Sequence, residues 1–105
     1  MTFLPVFHPR VESDVREAVL RYEARSPGLG VRFKRTFYAT VDDILFFPEK
    51  HAVKVDEEVR TRLMRPFPYL VFYSVERDIV FVLTVQYAGR RPKLLQAIAQ
   101  ERRAK

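Results

Sequence analysis

Apolar residues recur at helical spacing in two neighbouring segments of the first half of the chain. In the first segment, after Pro9, they return every three or four positions, and charged residues occupy the positions between them. The second segment repeats the pattern and ends at Pro48. The intervening run Ser26-Pro27-Gly28-Leu29-Gly30 breaks the helical pattern, which predicts an antiparallel helical hairpin. The predicted stripes are Val11, Val15, Ala18, Val19 and Tyr22, then Phe33, Phe37, Val41, Ile44 and Leu45.

Residues of high β-propensity dominate the second half. Phe67–Val75 and Ile79–Tyr87 are rich in Val, Phe and Tyr, and the short polar linker between them suits a hairpin loop. A first strand is predicted over Phe3–Phe7, and the polar loop Glu49–Glu58 has a short strand at Val53–Val55 as an optional element. The segment Val59–Met64 alternates, which predicts another strand. Its two faces would carry Val59, Thr61 and Leu63 on one side and Arg60, Arg62 and Met64 on the other.

These elements predict a single α+β domain spanning residues 1–105, a length suited to one core. The order is β-α-α-β-β-β, with the helical hairpin packed on a mostly antiparallel sheet. A short C-terminal helix over Lys93–Arg103 is an optional last element, with Leu94, Leu95 and Ile98 as its apolar side.

Composition excludes several classes of protein. The chain has no cysteine, so it has no disulfide and no thiolate metal site, and its two histidines, His8 and His51, lack metal-ligand spacing. We therefore expect no metal and no cofactor. Met1–Phe7 is too short for a signal peptide, and no apolar run approaches the roughly 18 residues of a membrane span. We expect a cytoplasmic protein without a membrane partner.

The formal net charge of +6 is unevenly distributed along the chain. Residues 1–59 carry nine Lys/Arg and ten Asp/Glu, whereas residues 60–105 carry ten Lys/Arg and three Asp/Glu. A basic C-terminal half favours an anionic partner, either nucleic acid or an acidic protein segment. A purely solubilising surface is the alternative for the ragged basic tail Glu101–Lys105.

Candidate chemistry concentrates between Arg60 and Pro92. Three arginines, Arg60, Arg62 and Arg65, lead into the two apolar strands. The second strand ends in Gln86-Tyr87-Ala88-Gly89-Arg90-Arg91-Pro92, which places a phenol beside two guanidinium groups. This combination suits phosphate, RNA or an acidic protein surface. Phe67, Tyr69 and Tyr73, inside the strands, are expected to pack in the core rather than to stack on bases.

Taken in order, several segments resemble the RelE/ParE superfamily of bacterial type II toxins, also called plasmid-stabilisation proteins. The resemblance runs from Phe7 to Pro92, and its most characteristic piece is Phe67-Pro68-Tyr69 followed by an apolar strand. The other matching pieces are Asp14-Val15-Arg16-Glu17-Ala18, Tyr22-Glu23, Pro27-Gly28-Leu29-Gly30, Arg32-Phe33, Pro48, the Arg60…Leu63…Arg65-Pro66 block and Arg90-Arg91-Pro92.

The resemblance implies a basic toxin held inactive by a cognate acidic antitoxin. ParE-like members poison DNA gyrase, and RelE-like members cut messenger RNA in the ribosome; the Pro-Gly-Leu-Gly turn and the Phe-Pro-Tyr block favour the ParE-like branch. Many relatives carry a histidine and a basic pair after the last strand, where this chain has Tyr87, which disfavours a histidine-based mechanism. A non-toxic RNA-binding module remains a further alternative.

Two sets of site residues follow from this interpretation. The predicted contact residues for target or antitoxin are Arg60, Arg65, Arg90, Arg91 and Lys93. If the protein is instead a metal-independent endoribonuclease, the predicted catalytic set is Arg60, Arg62, Arg65, Tyr87, Arg90 and Arg91.

Overall fold

The computed structural model describes residues 3–50 and 52–104 and confirms the predicted α+β fold. His51 lies outside the described residues. A first strand and two helices precede four strands, and a helix ends the chain. The elements are β1 (Leu4–Phe7), α1 (Val11–Arg25), α2 (Leu29–Phe46), β2 (Val53–Lys54), β3 (Arg60–Leu63), β4 (Tyr69–Glu76), β5 (Ile79–Tyr87) and α3 (Pro92–Arg103).

The five strands form one sheet in the order β1-β5-β4-β3-β2. Within the described residues, β1 pairs in parallel with β5, with Leu4 opposite Ile79, and the other neighbouring strands are antiparallel. The strand predicted from Phe67 begins two residues later, because Pro68 has no N–H for the ladder and the Tyr69 N–H donates to the Phe67 carbonyl within a turn (2.8 Å).

The helical hairpin turns where the glycines predict it. Gly28 adopts a left-handed backbone with φ of +87° at the N-cap of α2, a conformation that favours glycine. The Glu23 carboxylate then accepts hydrogen bonds from the N–H groups of Gly28 (2.8 Å) and Gly30 (2.9 Å). One side chain of α1 therefore satisfies two free donors at the start of α2.

The hairpin covers one face of the sheet and forms the main core. Phe33, Phe37 and Ile44 of α2 are completely buried, in one cluster with Val71 and Tyr73 of β4. Arg60 pairs with Tyr73 and Arg62 with Val71, so the predicted alternation of β3 puts both arginines on this face.

Helix α3 covers part of the opposite face, in a register that differs from the prediction. Leu95 and Ala99 pack with Phe72 and Leu83, whereas Leu94 is 46% exposed. The third buried position of α3 is Arg102, at 5% exposure. The predicted stripe was wrong at Leu94, because a buried arginine rather than a leucine determines which side of the helix faces inward. None of the helices in the described part of the chain combines the length and apolarity that crossing a bilayer requires.

Candidate target-contact surface

Two loops lie side by side at the end of the sheet where β5 stops. Tyr69 pairs with Tyr87, and just beyond this pair the Ala88 N–H donates to the Pro68 carbonyl at 2.8 Å. The β3–β4 loop therefore lies next to the β5–α3 loop. These loops and the first turn of α3 expose four of the predicted contact residues, which are Arg65, Arg90, Arg91 and Lys93.

Helix α1 adds two cations that sequence reasoning did not assign to a site. Arg21 Nη1 donates to the Tyr69 hydroxyl at 3.3 Å, and the Arg25 guanidinium lies 5.9 Å from the centre of the Tyr22 ring. Both arginines are exposed. Helical spacing shows that Arg21 faces away from the stripe of α1, but it does not show which strand end the helix passes. We call Arg21, Arg25, Arg65, Arg90, Arg91 and Lys93, with Tyr69 and Tyr87, the strand-end surface.

Aromatic rings form the base of the strand-end surface. The Tyr69 ring lies 6.0 Å from that of Tyr22 and 5.9 Å from that of Tyr87, between centres. Tyr69 is buried, as expected from the sequence, whereas Tyr87 is 44% exposed. Burial raises the pKa of Tyr22, and the neighbouring Tyr69 phenol adds to that rise while Arg25 opposes it. Tyr22 therefore stays protonated at neutral pH.

Gly89 fixes where the Tyr87 ring can lie. A Cβ atom on Gly89 would sit 2.3 Å from Cε2 of Tyr87, so the ring packs directly over the backbone of the loop. The loop closes in addition with the Arg90 N–H donating to the Tyr87 carbonyl at 3.3 Å. The position of the phenol thus depends on the absence of a side chain two residues later.

Arg62 lies apart from this surface. Its side chain is buried, and Nη2 donates to the carbonyl of Phe47 at 2.6 Å and to that of Lys50. These carbonyls belong to the segment that follows α2, outside the helix. Arg62 therefore holds the backbone of that segment, and the structure does not bring it together with Tyr87.

Arg60 and Tyr73 also lie away from the strand end. Arg60 is partly buried, with Nη2 at 3.8 Å from Oε2 of Glu49. It pairs with Tyr73, four positions along β4 from Tyr69, or about 13 Å at the rise of a strand. Tyr73 is completely buried and its hydroxyl donates to the Pro48 carbonyl; burial raises the pKa of its phenol. The predicted nuclease set is thus divided between two places on the sheet.

A sequence profile described as "ParE toxin of type II toxin-antitoxin system, parDE" matches residues 6–92. The chain belongs to the ParE toxin family. This match begins within β1 and ends at the first residue of α3, so it contains the hairpin and the whole of β2–β5. Among curated proteins, none matches the chain in sequence.

Two solved structures share the ParE family fold of this chain. A chain of the chromosomal ParDE toxin–antitoxin system from P. aeruginosa superposes with a TM-score of 0.73 at 13% identity, covering 84% of this chain and 98% of its own. A chain of the archaeal RelE–RelB complex from Pyrococcus horikoshii OT3 gives 0.56 at 17% identity, covering 87% and 100%. At these identities the likeness concerns the fold alone. The toxin class expected from the sequence is confirmed by the family match.

Proposed function

We propose that this protein is the toxin of a type II toxin–antitoxin pair, and that it acts in the bacterial cytoplasm by poisoning a target such as DNA gyrase. The observation that carries the proposal is the ParE family match over residues 6–92. The exposed cations and phenol of the strand-end surface are the proposed contact with the target. A cognate acidic antitoxin would neutralise the toxin, a partner consistent with the ParDE and RelE–RelB systems to which the fold is similar.

Target poisoning is preferred over RNA cleavage because of how the arginines are distributed. Cleavage at a 2′-hydroxyl needs a base, an acid and several cations around one phosphate. Arg62 is engaged with backbone carbonyls, and Arg60 lies about 13 Å along the sheet from the Tyr69–Tyr87 pair. A group of exposed arginines at one end of the molecule suits binding to the surface of a target protein better than it suits cleavage of RNA.

One observation favours the alternative, a metal-independent endonuclease acting on ribosome-bound messenger RNA. Glu17, Tyr87 and Arg90 line the same small recess, so a proton acceptor, a phenol and a cation face one space. A tyrosine that donates or accepts the proton there would contribute about 10²-fold or more to the rate.

The first test compares Tyr87→Phe with Arg90→Ala in cells that produce the protein without a partner. Poisoning predicts growth arrest that Tyr87→Phe leaves nearly unchanged, because the ring still packs, and that Arg90→Ala weakens by removing charge from the contact. Supercoiling by purified gyrase should be inhibited by the wild type. Codon-spaced cuts in messenger RNA that disappear in Tyr87→Phe, with gyrase unaffected, would establish the nuclease instead. Normal growth with generic RNA binding and a steep salt dependence would support the non-toxic module.

A further inference from the structure

A recess of about 20 Å³ opens on the α1 side of the strand-end surface. It is lined by Arg21 of α1, Tyr69 at the start of β4, Tyr87 at the end of β5, and Arg90 of the following loop. One water molecule needs roughly 10–15 Å³ of such space, so the recess admits about one oxygen atom. Its walls thus bring two guanidinium groups and two phenols around a single small space.

The hydrogen bond between Arg21 and Tyr69 prepares this space for an acceptor. Because the Tyr69 hydroxyl accepts from Arg21, its own proton points elsewhere, and no acceptor for it is found within residues 3–50 and 52–104. Arg21 can offer its remaining guanidinium donors, and Arg90 a second set. A planar fork of N–H groups matches the two oxygens of a carboxylate.

The carboxylates that also line the recess are largely compensated. Both oxygens of Asp14 accept from Arg102, and Thr84 donates to one of them at 2.7 Å. Glu17 is exposed and lies 3.9 Å from the Arg21 guanidinium. With Asp14 neutralised by Arg102, two arginines, Arg21 and Arg90, remain against the single carboxylate of Glu17, and the site retains a net positive charge.

We propose that this recess binds one carboxylate group, supplied by an aspartate or glutamate side chain of the antitoxin; this assignment rests on the proposed function. A carboxylate on a flexible side chain can place one oxygen in this space while its second oxygen stays at the mouth of the recess. A nucleic-acid strand would bring successive phosphates past Glu17 and is disfavoured there. Arg21 is then a contact residue that the linear sequence does not reveal.

The chain alone provides the first test, with acetate as the probe. The side-chain Nε–Hε signals of Arg21 and Arg90 should shift saturably in NMR spectra as acetate is added, but not with chloride at equal ionic strength. Arg21→Gln should abolish the saturable shift at Arg90. Arg16→Gln, an exposed arginine on the same helix outside the recess, should preserve it. Shifts that are identical in chloride, or that respond to oligouridylate and not to acetate, would overturn the assignment.

The second test uses as the ligand the protein encoded next to this gene, where the family resemblance implies that the antitoxin is encoded. If it binds the wild type, Arg21→Gln should lower its affinity about 30-fold or more through faster dissociation, and Arg16→Gln should leave it unchanged. Tight binding unaffected by Arg21→Gln would overturn the recess assignment and leave the proposed function standing. If nothing binds the wild type while acetate still shifts Arg21 and Arg90, the antitoxin assignment fails, although the recess still binds a carboxylate.

Discussion

At the scale of single residues, the glycine at position 89 determines where the phenol of Tyr87 lies. We expect Gly89→Ala to displace the Tyr87 ring from Tyr69, because the new methyl would lie 2.3 Å from Cε2. If Tyr87 contacts the target, growth inhibition should fall. The control is the same change in a Tyr87→Ala background, where it should have no further effect. Equal losses in both backgrounds would show that Gly89 acts through the loop backbone instead.

Arg62 and Arg65 stand three residues apart in the sequence, but their substitutions are predicted to differ in their effect on stability. Arg62→Met removes donors from the Phe47 and Lys50 carbonyls and should lower the free energy of unfolding by about 2–3 kcal/mol. The exposed Arg65→Gln should change it by no more than about 0.5 kcal/mol. Urea denaturation measures both. An Arg62→Met protein of unchanged stability that has lost its toxicity would put Arg62 in the contact surface.

At the scale of elements, α3 is joined to the rest of the fold by charge as much as by apolar packing. Arg102 pairs with Asp14 of α1 and also donates to the Leu83 carbonyl of β5 at 3.1 Å. We expect Arg102→Met to destabilise the protein by about 3 kcal/mol, because it leaves the Asp14 carboxylate without its counter-charge.

The neighbouring Arg103 supplies the control for that measurement. Its ion pair with Glu58 is partly exposed, so Arg103→Met should cost less than about 1 kcal/mol. A double-mutant cycle with Asp14→Asn isolates the interaction between Arg102 and Asp14. A negligible coupling energy would mean that α3 is held by Leu95 and Ala99 alone.

The stability that Asp56 contributes, in the turn before β3, is predicted to be lost in acid. A hydrogen bond from Gln100 of α3 lowers the pKa of Asp56, and the backbone N–H of Glu58 adds to the effect. A carboxyl whose pKa is lower in the folded state stabilises the protein above its unfolded pKa of about 3.9, and that contribution disappears as the pH falls through the folded pKa. Urea denaturation between pH 7 and pH 2 should therefore show a shallower acid decline for Asp56→Asn, and parallel curves would contradict this.

At the scale of the whole molecule, what the sequence predicts depends on how far apart the interacting residues are. The hairpin helices and the β4–β5 pair follow from periodicity, because each is encoded in contiguous residues. The inward face of α3 does not, since it depends on Arg102 meeting Asp14, at the other end of the chain. Hydropathy alone predicts that an arginine is exposed to solvent, so it does not identify Arg102 as a buried position.

The residues of the candidate surface fall into the same two groups, those that neighbouring sequence predicts and those that only the folded structure reveals. Arg90 and Arg91 were predicted because they come soon after a strand, and in the structure they follow β5, with Arg90 lining the same recess as Tyr87. Arg21 was not predicted, because only the packing of α1 on the sheet brings it to Tyr69. Arg60 and Arg62 were grouped with the site on proximity in sequence, whereas strand register separates them from Tyr87.

During translation, β1 leaves the ribosome long before its partner strand exists. Because Leu4 pairs with Ile79, about seventy residues must be added before the first strand can join the sheet. At 5–20 residues per second this takes on the order of 4–15 s. Throughout that interval the apolar side of the hairpin has no complete sheet to cover it. If a cognate antitoxin is already present, it would meet the hairpin before the sheet covers it.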